Sequence, residues 1–451
     1  MSAVSSSTAH RLLGHVAAAQ VSGRVPSLVA GVVRDGTLAW TGGYGDVPAD
    51  PTDVQYRIGS ITKTLTAVLV LQLVRDGRLS LDDPAGSVLG DVGYADRTVR
   101  SLLAHSSGMQ SEPVGSWWER SAGLSFDELA AANTGTGAVF ASQQQFHYSN
   151  LGFALLGEVA ARLLGGSWWD AVASRILAPL GMTRTSYLAS GVAARGYSVH
   201  PYTGALVDEP ATDTGAMAPA GQVWSTITDL ASYAAFLLAG HPDVLAEADL
   251  VTAFVPQSGD PEAGLGYAHG LGFQLFPGGS GTLAGHTGSM PGFLAGCLVD
   301  RARRTAAVAL ANATVGFHPA QLATALLEEL QDREPALPAP WQPSTPVPRP
   351  VVDVLGVWHW GNTPFVFSWE RAELVVRRSD AEAFRVRLVG DRLIGASGYH
   401  AGEELKVVRN PDGTINHLDI ATFIHTRTPY DPQAPIPGGH PVGQQDWGSG
   451  D

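Results

Sequence analysis

The chain of 451 residues holds a single cysteine, Cys297, which excludes an internal disulfide and a cysteine-based metal centre. Charge is scarce at 16% of residues and tilts acidic, 42 against 28, for a net charge of −14. With no basic run, a nucleic-acid partner is disfavoured, and so is an anionic membrane surface. No apolar run approaches the roughly 20 residues of a membrane span. The polar opening from Met1 to Arg11 lacks a basic block followed by an apolar one, so no signal peptide and a cytoplasmic chain are predicted. No internal repeat is present.

What is there is a globular composition, 45% hydrophobic, over a length that accommodates two domains. Apolar spacing predicts a first helix over 8–22, and then two strands, 28–33 and 37–40, joined at Asp35-Gly36, a hairpin signal. From Val99 to Met109 a helix is predicted to run into a tight small-residue turn at Ala104 to Gly108, and another helix is predicted over 150–164, with an irregular stretch at 110–145 between them. The region 166–260 reads as helical and loop-rich. Strands return at 270–275, 285–290, 292–299 and 304–312, and a helix at 319–331 closes the unit. Strands at both ends with helices between predict an α/β (α+β) domain whose terminal strands join in one antiparallel sheet beside a helical cluster. Residues 335–350 hold seven prolines and read as a semi-rigid linker. Beyond it, short strands separated by Asn362, Asp380, Gly390-Asp391 and Asn410 to Gly413 predict an all-β sandwich or barrel. The domains expected are therefore 1–334, the linker, 351–431, and a Gly/Pro/Gln-rich tail at 432–451 predicted to be disordered.

Three short motifs carry chemistry. In Tyr56 to Ala67 an apolar stretch turns at Gly59 and becomes a mostly buried helix, with Ser60 in its first turn and Lys63 one turn on. A hydroxyl there sits in positive potential beside unpaired N–H groups. A desolvated lysine has a lowered pKa and can serve as its base. Ser-x-x-Lys alone is equally compatible with an N-cap serine and a solvated lysine. The second motif is Tyr148-Ser149-Asn150 before the helix at 150–164. A phenol near an ammonium has a lowered pKa and shuttles a proton, and the Asn150 amide holds the lysine or binds a substrate carbonyl. Read alone, it is an N-cap behind a core tyrosine. The third is His286-Thr287-Gly288, where a cationic or hydrogen-bonding residue, a hydroxyl and a glycine on an edge strand form a rail for an extended substrate.

In the order Ser-x-x-Lys, Tyr-x-Asn, His-Thr-Gly the motifs resemble those of the serine β-lactamase / D-alanyl-D-alanine carboxypeptidase family, class C and penicillin-binding-protein-like. Leu102 to Met109, Pro219-Ala220-Gly221, Ser225 to Leu230 and Gly285 to Phe293 extend the resemblance over about 10–330. It implies a β-lactamase/transpeptidase-like fold and an acyl-enzyme on Ser60, with Lys63 and Tyr148 handling the proton. Asn150, His286, Thr287 and Gly288 would position the substrate. The backbone N–H of Ser60 and one from the strand after Gly288 would form an oxyanion hole. No cofactor or metal is implied.

Two departures matter. His286 stands where most true β-lactamases carry lysine, and Gln143 to His147 replaces an upstream Pro-Gly turn. A catalytic unit, a proline linker and a lipocalin-like β domain resemble the penicillin-binding-protein-type thioesterases. That resemblance implies offloading and head-to-tail cyclisation of a nonribosomal peptide with a D-residue at its acyl end. The implied partner is a peptide on the peptidyl carrier protein of a peptide synthetase, with no nucleic acid or membrane. A cytoplasmic esterase or D-peptide hydrolase, and a non-catalytic ligand-binding relative, are the alternatives.

Overall fold

The computed structural model describes residues 3–429 apart from 49, 280, 338–339 and 342–345. The tail expected to be disordered and part of the proline linker therefore lie outside the described residues. The chain divides into two compact units at Leu337/Pro338.

In the first unit the chain ends come together in one antiparallel sheet. Its order is Thr37–Gly45, Ser27–Arg34, Thr305–Ala311, Phe293–Asp300, Gly281–Met290, Gln274–Gly278, Ala268–His269, Ser258–Gly259. The hairpin at Asp35-Gly36 closes with both residues at positive φ, 48° and 76°, the backbone such a two-residue turn requires. Both faces of the central strands are covered, and side chains alternate between them with period two. Leu28, Ala30 and Val32, with Ala307, Ala309 and Ala311, pack under the helices Ser6–Gly23 and Pro319–Arg333. Val29, Val33, Val308 and Leu310 pack against the helical cluster on the other face. Alanines at every second position of Thr305–Ala311 leave room for Leu322, Leu326 and Leu330 of the closing helix. Burying each of those leucines contributes about 1.5–3 kcal/mol. Cys297 is sealed in the Phe293–Asp300 strand, where burial pushes its thiol up to about 12, so it is not a reactive thiolate.

The helix Ile61–Arg75 runs through the middle of the helical cluster and is buried all round from Ile61 to Leu73. Its buried polar side chains, Thr64, Thr66 and Gln72 among them, are hydrogen-bonded to backbone carbonyls. The helix expected from Val99 spans Val99–Leu103 and runs into the turn expected at Ala104 to Gly108. It breaks because His105 takes a left-handed φ of 52°. The irregular stretch 110–145 contains a helix, Phe126–Ala132, started by a capping box of Ser125 and Glu128. The strand expected over 270–275 is two strands with a break between His269 and Gln274.

The second unit is an eight-stranded antiparallel meander from Gly356–Trp360 to Phe423–His425, with strands in sequence order. Backbone bonds between His359 and Thr426, 2.7 and 2.9 Å, join its first strand to its end, making a nearly closed barrel consistent with a lipocalin-like domain. Trp358, Phe367, Phe384, Leu405 and Leu418 fill the interior. Trp360 is an exposed exception, stacked on Phe423 with ring centroids 5.4 Å apart. The strand expected from Ile415 to Phe423 folds back at Ala421-Thr422, both at positive φ (51° and 69°). A tight turn without Gly or Asn leaves no mark in composition.

Candidate active site

The short strand Tyr56–Arg57 pairs with Trp224–Ser225, and the Ile58 N–H donates to the Val223 carbonyl at 2.9 Å. Gly59 then reverses the chain at φ 53°, lying so close to the Gly281–Met290 strand that a Cβ would stand 2.5 Å from the Ser289 nitrogen. Gly288 packs from the other side, where a Cβ would meet the Ile58 carbonyl oxygen at 1.9 Å and the Ser60 nitrogen at 3.1 Å. The two glycines thus bring the segments that carry the Ser60 and Ser289 nitrogens into close approach, where the family resemblance implies an oxyanion hole. Ser60 begins the helix, but its side chain makes no capping bond. Its hydroxyl is thereby left for chemistry.

Lys63 is 0% exposed. Its Nζ lies 2.9 Å from the Ser60 Oγ and donates to the Ala220 carbonyl at 2.7 Å. Desolvation pulls its pKa down to about 7, against the opposing pull of the Glu112 and Glu119 carboxylates. A neutral amine can keep one N–H on Ala220 and turn its lone pair to the Ser60 hydroxyl.

Tyr148 faces the same serine, within hydrogen-bonding reach of its side chain. Its ring centroid is 5.0 Å from the Lys63 Nζ. The expectation of a lowered phenol pKa is wrong in direction. Burial pushes it well above the ordinary tyrosine range, and this outweighs the hydrogen bond to Ser60. At neutral pH Tyr148 is therefore a proton donor, and Lys63 is the group placed to accept.

Of the two roles expected for His286, cationic or hydrogen-bonding, the geometry fits the second. It is 1% exposed, its Nδ1–H donates to the Thr287 carbonyl at 2.5 Å, and burial with Lys63 and His269 nearby holds it well below the usual histidine range. It is a neutral ring, not a cation. The rail is an edge only in part. Residues 281–285 pair with Gln274–Gly278, and beyond Gly285 that side is free of a strand partner. Even there the Thr287 N–H and hydroxyl both donate to the Gln274 Oε1, at 2.8 and 3.0 Å.

Asn150, 9% exposed, does not hold the lysine. Its Nδ2 donates to the Glu112 Oε1 at 2.6 Å, and the Trp118 indole N–H donates to the other Glu112 oxygen at 2.7 Å. Glu112 and Gln274 were missed because neither belongs to a local pattern. A signal for the lysine does exist in the sequence. The chain has only two lysines, Lys63 and Lys406, and uses arginine for nearly every other cation. Arginine cannot lose its proton in a protein, so a retained lysine at a buried position marks a group that must. Among the described residues, no group of three His, Cys, Asp or Glu could hold a metal, and no helix is long and apolar enough to cross a membrane.

Residues 12–331 match the family model described as Beta-lactamase. The chain belongs to the beta-lactamase family. Members of this family are serine hydrolases, which agrees with the Ser60–Lys63 geometry. Residues 347–427 match a second model, a domain of unknown function, DUF7586. Beta-lactamase-like protein 2 of Dictyostelium discoideum is 30% identical over 258 residues, covering 52% of this chain and 46% of its own length. The chain spans about half the length of the curated relatives it matches. Among solved structures, a D-stereospecific amidohydrolase from Streptomyces sp. is 27% identical with a TM-score of 0.60, covering 72% of this chain and 98% of its own. SurE is 26% identical with a TM-score of 0.60 and covers 94% of this chain and 99% of its own.

In this beta-lactamase-family site, a base with a pKa of about 7 must be neutral to accept the Ser60 proton. The rate of Ser60 acylation by an activated ester, followed by stopped flow, is expected to rise about tenfold per pH unit below 7 and level off above it. Lys63→Arg, which keeps the charge and cannot deprotonate, is expected to lower that rate by about a thousandfold or more at every pH.

Proposed function

We propose that this chain is a serine acyltransferase that forms an acyl-enzyme on Ser60 from a peptidyl ester or thioester with a D-residue at the acyl end, and releases the peptide by head-to-tail macrocyclisation. The observation that carries the acyl-enzyme step is the fully buried Lys63 amine, 2.9 Å from the Ser60 Oγ. As the Ser60 oxygen bonds to the substrate carbonyl carbon, its proton passes to Lys63. The N–H groups of Ser60 and Ser289 hold the oxyanion. The tetrahedral adduct then expels the thiol or alcohol, which leaves with a proton from Lys63 or Tyr148. In the second half the peptide's own amine attacks the ester, loses its proton to the same pair, and Ser60 recovers its own.

Three observations support the D-residue and the cyclase. The domain layout resembles that of penicillin-binding-protein-type thioesterases, SurE is similar over nearly the whole chain and was solved with D-Leu, and a D-stereospecific amidohydrolase shares the fold at 27% identity. A carrier protein of a peptide synthetase is the proposed presenter of the substrate, and the cytoplasm the proposed place of action.

A second reading, a hydrolase of D-aminoacyl amides or D-peptides, is favoured by Glu112. A carboxylate only accepts hydrogen bonds, so it fixes the Asn150 amide with Nδ2 turned toward it. The Asn150 Oδ1 takes no partner among the described residues and is not sealed from solvent. That face of the site offers acceptors and negative charge, which suits a free ammonium better than a carbonyl.

Intact-mass spectra after mixing with a peptide thioester analogue carrying a D-residue at its acyl end are expected to show an adduct on Ser60, absent in Ser60→Ala. Chromatography is expected to show macrocycle. Hydrolysed acid alone across several such peptides moves the reading to the hydrolase, and an adduct that survives Ser60→Ala contradicts both. Glu112→Gln separates the two readings further. Losing a charge-assisted bond worth about 1.5–3 kcal/mol is expected to cost about 10–150-fold in kcat/KM on D-phenylalaninamide if the amine is recognised there. An N-acetylated D-phenylalanine ester is expected to lose less than about threefold. Equal losses on both substrates count against recognition of an amine by Glu112.

A further inference from the structure

His105 lies in the Ala104 to Gly108 turn and takes no part in the chemistry above, yet it is 1% exposed beneath the site. Its carbonyl accepts the N–H of His147 at 2.7 Å. Its Nδ1 accepts the N–H of Ser149 at 3.0 Å. Its ring stacks on the ring of Tyr148, with centroids 4.0 Å apart and planes 27° apart. One residue thus grips Tyr148 through the chain before it, the chain after it and the face of its ring.

We propose that His105 is the positioning residue of Tyr148, and that it works only as the neutral ring with its proton on Nε2. The inference rests on Tyr148 being a proton carrier for Ser60. The tautomer follows from the bond to Ser149: a nitrogen that accepts from a backbone N–H must keep its lone pair. The proton is then on Nε2, which is buried without a partner. The surroundings oppose a charge. Lys63 faces the ring from the nucleophile helix, His147 from the Tyr148 segment, and His269 and His286 from the sheet. The centroid of His269 is 4.6 Å away. Burial is the larger cause, these groups act in the same direction and no carboxylate is among them, and the Tyr148 phenol on the ring face is uncharged, so the ring stays neutral well below the usual histidine range.

The backbone of His105 is part of the device. It holds φ at 52°, outside the regions most side chains prefer. That conformation costs of order 1 kcal/mol and persists only where its surroundings over-determine it. It turns the carbonyl and the ring toward the same three-residue segment. Displacing the phenol by about 1 Å is enough to cost about a hundredfold in rate.

Three substitutions divide the grip into parts. His105→Asn tolerates the left-handed φ and offers Oδ1 as an acceptor for the Ser149 N–H. His105→Gly tolerates the φ without an acceptor. His105→Phe keeps a ring and loses the acceptor. Single-turnover acylation of Ser60 by the p-nitrophenyl ester of N-acetyl-D-phenylalanine is the readout, with the adduct checked by intact mass. His105→Asn is expected to stay within about tenfold of the parent chain. His105→Gly and His105→Phe are expected to lose about a hundredfold in maximal rate, while the ester concentration giving half-maximal rate stays within about threefold. Acylation by His105→Gly or His105→Phe as fast as by His105→Asn overturns the proposal.

A measurement on the unsubstituted chain covers variants that fail to fold. With uniform 15N labelling, a hydrogen-bond coupling between the Ser149 amide nitrogen and a bare His105 Nδ1 is expected at pH 8 and still at pH 5.5. A protonated Nδ1 at pH 8 overturns the proposal. An unsubstituted chain that forms no Ser60 adduct overturns the acyl-enzyme reading together with this one. An adduct formed normally alongside the wrong order of variants overturns this one alone.

Discussion

A lysine stripped of water beside a serine is the constraint on which the site depends. Among the described residues the Lys63 amine has no carboxylate in contact: it bonds to the Ser60 hydroxyl and the Ala220 carbonyl and faces the rings of Tyr148 and Phe153. Burying an unpaired charge is costly enough that the group gives up its proton instead. Burial comes from a helix enclosed on all sides, and the helix's own first turn adds to it, because positive potential at a helix N-terminus disfavours a cation. The Glu112 and Glu119 carboxylates pull the other way. The balance leaves the lysine pKa at about 7, where it can take a proton from Ser60 and return it.

The rest of the unit holds other groups around that amine. Tyr56–Arg57 and Trp224–Ser225 set the height of the turn, and Gly59 and Gly288 allow the helix start and the sheet strand to touch through backbone alone. A side chain at either glycine would drive those backbones apart. Tyr148, protonated because it is buried, and His286, neutral for the same reason, complete a site with little fixed positive charge. In the proposed reaction N–H dipoles would stabilise the oxyanion, and acceptors such as Glu112 and the part of the rail beyond Gly285 would be left to recognise the substrate.

Much of this was legible in the sequence, and the limits have physical causes. The α/β layout, the antiparallel sheet and the β-rich second unit followed from periodicity and turn residues, because burial on one or two faces of an element imposes that periodicity. The serine and lysine are one turn apart, so their contact was local. The Tyr148 and His286 motifs were recognisable by order, but their protonation was not. The lowered phenol pKa expected for Tyr148 overestimated charge, since its burial comes from segments distant in the chain, those of His105, Lys63 and His286. Glu112 and Gln274 act across 38 and 13 residues on loops and strands without local pattern. The left-handed turn at Ala421-Thr422 uses residues that composition does not mark as a turn, whereas the small residues around His105 did mark one. The scarcity of lysine was the one compositional clue to the buried base.

With only two lysines in the chain, the protonation of Lys63 can be measured directly. Lysine labelled with 13C at Cε should give two side-chain signals in NMR spectra, that of Lys63 being the one lost in Lys63→Arg. Burial without a countercharge predicts that the Lys63 signal titrates near pH 7. A Lys63 signal that keeps its proton up to pH 10 would contradict the account.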